Sequence, residues 1–266
     1  MKRLVCLVMT ILSLPVMVRA ADQAQAPRYE ITMDVDIFNK GGPGCIDVEL
    51  PYMEPSQNQR AELKRQPQSN YEVAAGERIN LSLNYEVKLE TTSASEYPAA
   101  DPPGLVTDPD ITKAVNMIIS HDRISPKEKA LRLLKFVNEW MTYDDSEESA
   151  PNAREALATR RGVCEDYALL YAALCRASGL PARMVYGLRI DNMKDIVPLH
   201  AWVEVNIGTG WQAVETVGNN TLGLAANATY IFWSRTRPEI KIKWQGSNGF
   251  APQFNIETTW RVSKTS

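Results

Sequence analysis

Residues 162–179 read Gly162-Val-Cys-Glu-Asp-Tyr-Ala-Leu-Leu-Tyr-Ala-Ala-Leu-Cys-Arg-Ala-Ser-Gly179. Alanine and leucine dominate, both strong helix formers, and Gly179 stands where a helix ends in a left-handed residue. The composition predicts a helix that begins at or near Cys164. A thiol is a nucleophile only as thiolate, and the partial positive charge of a helix N-terminus or a neighbouring imidazolium favours that form. Cys164 is therefore the candidate nucleophile. Cys175 lies on the same helix about 16 Å away by helical rise, too far to bridge, and is read as core. Glu165 and Asp166 place negative charge in the first turn. That suits the helix dipole but opposes a reactive thiol, so a cation has to offset it.

Downstream, Pro181 precedes a predicted strand, Ala182 to Ile190. A polar loop at 191–198 leads to a second strand, Leu199 to Asn206, and Gly208-Thr-Gly210 turns the chain into a third, Trp211 to Thr216. His200 is the candidate cation. The chain's other histidine, His121, ends a predicted helix, where a solvated or dipole-facing imidazole is the ordinary reading. In a strand His200 shares a face with Trp202 and Glu204, while Ala201, Val203 and Val205 face the other way. An even loop in the 206–211 hairpin puts Glu215 opposite Trp202 and diagonal to His200. A three-residue loop would instead pair it with Val203, on the wrong side. The even register is expected. A carboxylate there would hold the imidazole tautomer, and an ordinary polar residue on a wet strand face is the competing reading.

Upstream, apolar residues alternate at Tyr29-Ile31-Met33-Val35-Ile37, at Ile46-Val48-Leu50 and at Ile79-Leu81-Leu83-Tyr85-Val87-Leu89, the signature of strands with one wet face. Residues 21–104 read as a β-sandwich-like module with a structural or binding role, closed by a proline-rich linker at 95–109. The period then becomes helical. Asp108-Pro109 starts one helix, Ser125-Pro126 with Glu128 caps a second, and a short third runs from Ala153 to Arg160, where Gly162 can stop it. Residues 105–220 form the expected core. Alternating runs in 221–266 are expected to complete its sheet.

Residues 1–20 are expected to be a signal peptide. Lys2 and Arg3 precede an apolar stretch, and Val18-Arg19-Ala20 fits a cleavage site. Cleavage before Ala21 removes three basic residues, so the net charge falls from −3 to −6. The mature chain is then secreted or periplasmic, with no membrane attachment. An acidic chain has no electrostatic reason to bind nucleic acid. Three cysteines remain after cleavage, Cys45, Cys164 and Cys175, and the sequence leaves open a disulfide from Cys45 to either of the others. No metal or other cofactor is expected: scattered histidines and cysteines do not make a zinc site, and no calcium loop of EF-hand spacing occurs.

Gly162-x-Cys164, the helix ending in Gly179-Leu-Pro-Ala-Arg183, Gly187, His200-Ala-Trp202 and Gly210-Trp211-x3-Glu215-Thr216 together resemble the transglutaminase-like superfamily of papain-type folds, over about residues 108–217. The resemblance implies an α+β fold, with the cysteine-bearing helix packed on an antiparallel sheet. It also implies a triad: Cys164 as nucleophile, His200 as general base then acid, and Glu215 as the orienting carboxylate. The family normally has Asp at the third position, and Glu is one methylene longer. Arg183 is read as a structural ion-pair residue. Oxyanion stabilisation would use the backbone N–H of Cys164, with Tyr143 and Trp140 as candidates for a second donor. The expected function is a thiol peptidase or amidase working on protein or peptide substrates through a thioester. The alternatives are a glutamine cross-linking acyltransferase and a non-catalytic scaffold.

Overall fold

The computed structural model describes residues 26–56, 58–90, 108–119, 124–146, 149–191, 196–218, 221–246 and 253–265. The expected signal peptide, the linker between Glu90 and Asp108, and His121 lie outside them. The N-terminal strands are β1 (Arg28–Asn39), β2 (Gly44–Glu49), β3 (Gln59–Arg65), β4 (Asn70–Val73) and β5 (Arg78–Leu89). Helices α1 (Pro109–Ile118) and α2 (Pro126–Trp140) follow, then β6 (Thr142–Tyr143), α3 (Ala153–Thr159), β7 (Arg161–Gly162) and α4 (Cys164–Ala177). The chain ends with β8 (Ala182–Ile190), β9 (Leu199–Asn206), β10 (Trp211–Val214), β11 (Thr229–Ser234), β12 (Lys241–Gly246) and β13 (Phe254–Lys264).

The N-terminal region is a pair of antiparallel sheets, ordered β13-β1-β5-β3 and β12-β2-β4. Along β1 every second side chain from Tyr29 to Ile37 is buried, as period-two alternation requires. Those residues share one core with Ile46, Val48 and Val73 of the other sheet. Here the structure corrects an expectation. Residues 221–266 do not all complete the core sheet: β11 joins it, but β12 pairs with β2 and β13 pairs with β1 along its whole length. The physical reason is that β1 would otherwise leave a twelve-residue edge unpaired, and a long open edge is a liability.

The second sheet is ordered β10-β9-β8-β11, all antiparallel. Helix α4 is its partner, and Asp166 through Cys175 are all buried. A helix apolar on every side belongs inside a molecule, and α1, α2, α3 and the sheet surround it. Leu170 and Leu174 are fully buried there, each worth about 1.5–3 kcal/mol of transfer free energy. The expected caps are present: Asp108 accepts the Asp110 N–H and Ser125 accepts the Glu128 N–H. Helix α3 stops at Thr159, one residue earlier than expected, because Arg160 itself takes the left-handed conformation, φ 58°.

The two regions are not separate beads. Leu188, Ile190, Ile231 and Trp233 of the second sheet belong to the core of the β region. Trp233 meets Tyr85 edge-on at 5.5 Å and Trp260 at 4.4 Å. Gln59 closes the seam with two hydrogen bonds to the Phe232 backbone, 2.7 Å and 3.0 Å.

Candidate active site

In an antiparallel sheet the end of one strand lies beside the start of the next. The last residues of β8 and β10 and the first of β9 therefore meet at one end of the sheet, and α4 presents its N-terminus there. Cys164 is the first residue of α4. Its N–H has no partner four residues back, as for every first-turn donor. A two-strand clip holds this corner: β6 pairs in parallel with β7, setting Tyr143 beside Gly162.

The acidic first turn is accounted for. Asp166, buried, reaches back and accepts the Val163 N–H at 2.8 Å and the Ala150 N–H at 2.6 Å. It is the carboxylate half of a capping box. Burial raises its pKa, against the pull of these N–H donors. Gly162 has φ 152°, and a Cβ there would overlap the Asp166 carboxylate, so this glycine is required by close approach. Glu165 accepts the Tyr186 hydroxyl at 2.9 Å and pairs with Arg237 at 2.9 Å. Both acids of the first turn are thus engaged by partners of their own.

The hairpin register is the even one. Trp211 pairs with Asn206 and Val214 with Val203, where the ladder ends. Glu215, one residue beyond β10, keeps that phase while its N–H donates to the Gly223 carbonyl at 2.9 Å. Glu215 Oε2 then lies 2.8 Å from His200 Nε2. An ionised carboxylate only accepts, so Nε2 donates, and Nδ1 is left for the cleft that Cys164 also lines. Burial disfavours a charged imidazole, but the Cys164 sulfur and the Glu215 carboxylate beside it outweigh that and push the His200 pKa up to about 9. Burial would likewise raise Glu215. The His200 hydrogen bond and charge, with donors from Tyr230 and the Val217 N–H, bring it down to about 2 instead. At neutral pH the pair is imidazolium and carboxylate.

A cleft of about 520 Å³ opens onto Cys164 and His200, bordered by Tyr143, Arg189, Ile196 and Val217. Tyr143 is 51% and Ile196 62% exposed, so its mouth is wet and partly apolar. Of the two candidate oxyanion donors, Tyr143 borders this cleft. Trp140 does not: its Nε1 donates to the Leu157 carbonyl at 2.8 Å and its ring lies under Arg160. Arg183 pairs with Glu204 at 2.7 Å, 1% exposed and stacked on Trp211, a buried ion pair away from the thiol. Gly187 is required because a Cβ there would overlap the Trp202 ring, which stacks toward His200 with centroids 6.3 Å apart. Cys45 is exposed and Cys175 buried; all three described cysteines are free thiols. Burial pushes the Cys175 thiol up to about 12, leaving it inert.

Sequence reasoning missed two residues. Arg189 Nη1 donates to Glu215 Oε2 at 3.1 Å, and the Tyr230 hydroxyl donates to the same oxygen at 2.7 Å. Strand phase could have flagged Arg189, since Gly187 pairs with His200 and Arg189 shares the face of Gly187. Nothing local pointed to Tyr230, which enters from β11.

Residues 115–216 match the family described as the transglutaminase-like superfamily. Comparison with curated proteins finds no match. Among solved structures, the chain is similar to a candidate cysteine protease from Cytophaga hutchinsonii. The identity is 16%, 91% of this chain and 92% of that one are covered, and the TM-score is 0.60. It is also similar to the periplasmic domain of TgpA from Pseudomonas aeruginosa, solved with ethylmercury. There the identity is 16%, 73% of this chain and 90% of that one are covered, and the TM-score is 0.40. The central part of the molecule is a transglutaminase-like domain of mixed α/β architecture, with a β-rich region built around it.

Proposed function

We propose that this transglutaminase-like domain is a thiol enzyme that cleaves amide bonds of protein or peptide substrates. The observation that carries the reading is the 2.8 Å hydrogen bond from His200 Nε2 to Glu215 Oε2, at a cleft that His200 and Cys164 line together. As imidazolium, His200 carries on Nδ1 the proton given up by the Cys164 thiol, and Cys164 Sγ attacks the carbonyl carbon. The tetrahedral oxyanion collapses to a thioester as His200 returns the proton to the departing amine. The Cys164 N–H at the helix N-terminus faces the developing negative charge with favourable polarity. Water then hydrolyses the thioester with His200 as base. The wet mouth at Tyr143 and Ile196 favours water as acceptor over a buried amine. We further propose that the chain is exported and cleaved before Ala21, so that N-terminal sequencing of the mature protein starts there.

The test is chemical. Intact mass after brief iodoacetamide treatment at pH 6, in a Cys45→Ser background, should show one adduct on Cys164. His200→Ala should abolish it. Equal labelling in both proteins would overturn the enzyme reading and leave a scaffold on the same fold. Incubation of a peptide substrate with and without an alkylamine then separates hydrolysis, which releases free acid, from acyl transfer, which releases the alkylamide.

A further inference from the structure

Glu215 holds more donors than a carboxylate orienting one imidazole needs. Oε2 alone accepts from His200 Nε2 at 2.8 Å, the Tyr230 hydroxyl at 2.7 Å and Arg189 Nη1 at 3.1 Å. Oε1 takes the Val217 N–H at 3.1 Å, and the side chain is 1% exposed. Arg189 and Tyr230 are direct partners across β8 and β11, so the sheet itself sets both at this oxygen. A Glu has one more rotatable bond than an Asp, and an unrestrained carboxylate would spend its time in several rotamers. Two further donors on the oxygen that meets the ring remove that freedom. Arg189 also brings a full charge. It binds the same oxygen as the imidazole, so the two cations lie less than about 6 Å apart, close enough for like charges to resist each other.

We propose that Arg189 and Tyr230 are positioning residues that clamp Glu215 Oε2, fixing the longer acid against His200 and dividing its charge between imidazolium and guanidinium. The inference rests on the catalytic reading of Cys164, His200 and Glu215. Arg189 tempers the pair: without it, Glu215 would hold the proton on His200 more tightly and weaken the ring as general base. The charged and titratable groups facing the ring are Cys164 from α4, Glu215 after β10, Arg189 and Asp191 at the end of β8, Tyr230 from β11 and Tyr143 from β6. Asp191 pairs with Arg189 Nε at 3.0 Å and holds the guanidinium from the far side.

The test is the titration of the His200 ring, followed by NMR in a Cys164→Ala background so that the thiol does not contribute. The chain has two histidines, and His121→Gln assigns the signals. Arg189→Gln, which keeps a donor and loses the charge, should raise the ring pKa by about one pH unit. Arg189→Lys should return most of that shift. Tyr230→Phe removes a hydroxyl and no charge, and should raise the value by a smaller step. It keeps the test open if Arg189→Gln does not fold. A merely structural role would lower melting temperature and leave the ring unmoved. His200-dependent alkylation of Cys164, with a ring that neither variant moves upward, overturns the clamp alone. Alkylation indifferent to His200→Ala overturns the catalytic reading and the positioning role with it.

Discussion

Two buried carboxylates share one face of the β10-β9-β8-β11 sheet. Glu204 accepts Arg183 Nε at 2.7 Å and pairs with Arg235 at 2.9 Å, and aromatic rings cover both arginines, Trp211 over one and Phe232 over the other. Glu215 accepts His200, Tyr230 and Arg189. A small apolar cluster of Val185, Trp202 and Phe232 lies between the two networks. The ingredients are alike: an acid, cations and a neighbouring aromatic. What differs is the cation that titrates and the cleft that reaches it. Arginine stays charged at every accessible pH, so the Glu204 network can only hold the sheet together. Histidine changes charge within the accessible pH range, and at the Glu215 end that histidine shares an open cleft with the Cys164 thiol. Function on this sheet face is decided by one side-chain type and by access, not by the presence of a buried ion pair.

The largest expected effect would break this contrast if absent. Glu204→Gln leaves two buried arginines without their anion and should cost about 3–5 kcal/mol in urea unfolding. The folded fraction should keep the wild-type pH profile of Cys164 alkylation. Unchanged stability would mean that the Glu204 network is not the structural one.

Glu215→Gln should do the reverse. It should slow alkylation of Cys164 at pH 6 by about 100-fold, because an amide supplies no charge to hold the imidazolium. Its stability loss should be smaller than that of Glu204→Gln. If the rate is untouched, the acid does not serve the ring.

A third expectation concerns pH. His200 folds with its pKa raised from 6.5 to about 9, so its stabilisation is full below pH 6.5 and is lost as pH rises through about 9. Glu215 is lowered from 4.5 to about 2, so its share is present above pH 4.5 and is lost as pH falls through about 2. Both contributions are complete only between pH 4.5 and 6.5. The stability difference between wild type and His200→Asn, on the order of 2 kcal/mol at pH 6, should shrink toward zero above pH 9. A difference flat across that range would show that the pair is not ionised as described.

The smallest effect sharpens the comparison. Glu215→Asp shortens the acid by one methylene and withdraws it from three donors that are placed for a glutamate. Alkylation should slow several-fold, less than tenfold. A faster enzyme would show instead that the longer side chain is a handicap here and that Arg189 and Tyr230 do not compensate for it.

The legible parts of the molecule are those whose signals are local. Ala/Leu composition between two glycines marked α4, and a thiol at its first residue followed from where such a helix starts. Period-two runs marked β1, β2 and β5. Strand β3 was not legible. Its sequence, Gln59-Arg-Ala-Glu-Leu-Lys-Arg65, is exposed at all but the first residue, so no apolar alternation records it. Only the free edge of β5 makes it a strand. Strands β12 and β13 were visible as strands, but alternation carries no address. Their partners, β2 and β1, lie roughly two hundred residues or more earlier in the chain.

The candidate site divides along the same line. The sequence by itself determined which residues could do the chemistry: one thiol at a helix start, one imidazole on a strand in the right phase, and one acid that an even hairpin would bring to the same face. These depend on helix and strand periods and on a four-residue turn, all set by neighbours in the chain. Tertiary structure alone decided what surrounds them. It placed Trp140 away from the cleft and Tyr143 beside it. It quenched Glu165 with Arg237 and Tyr186, and set Arg189 and Tyr230 on Glu215 from strands that meet only in the folded sheet. Charge balance at a buried oxygen is a sum over groups close in space, and a sequence orders them only along the chain.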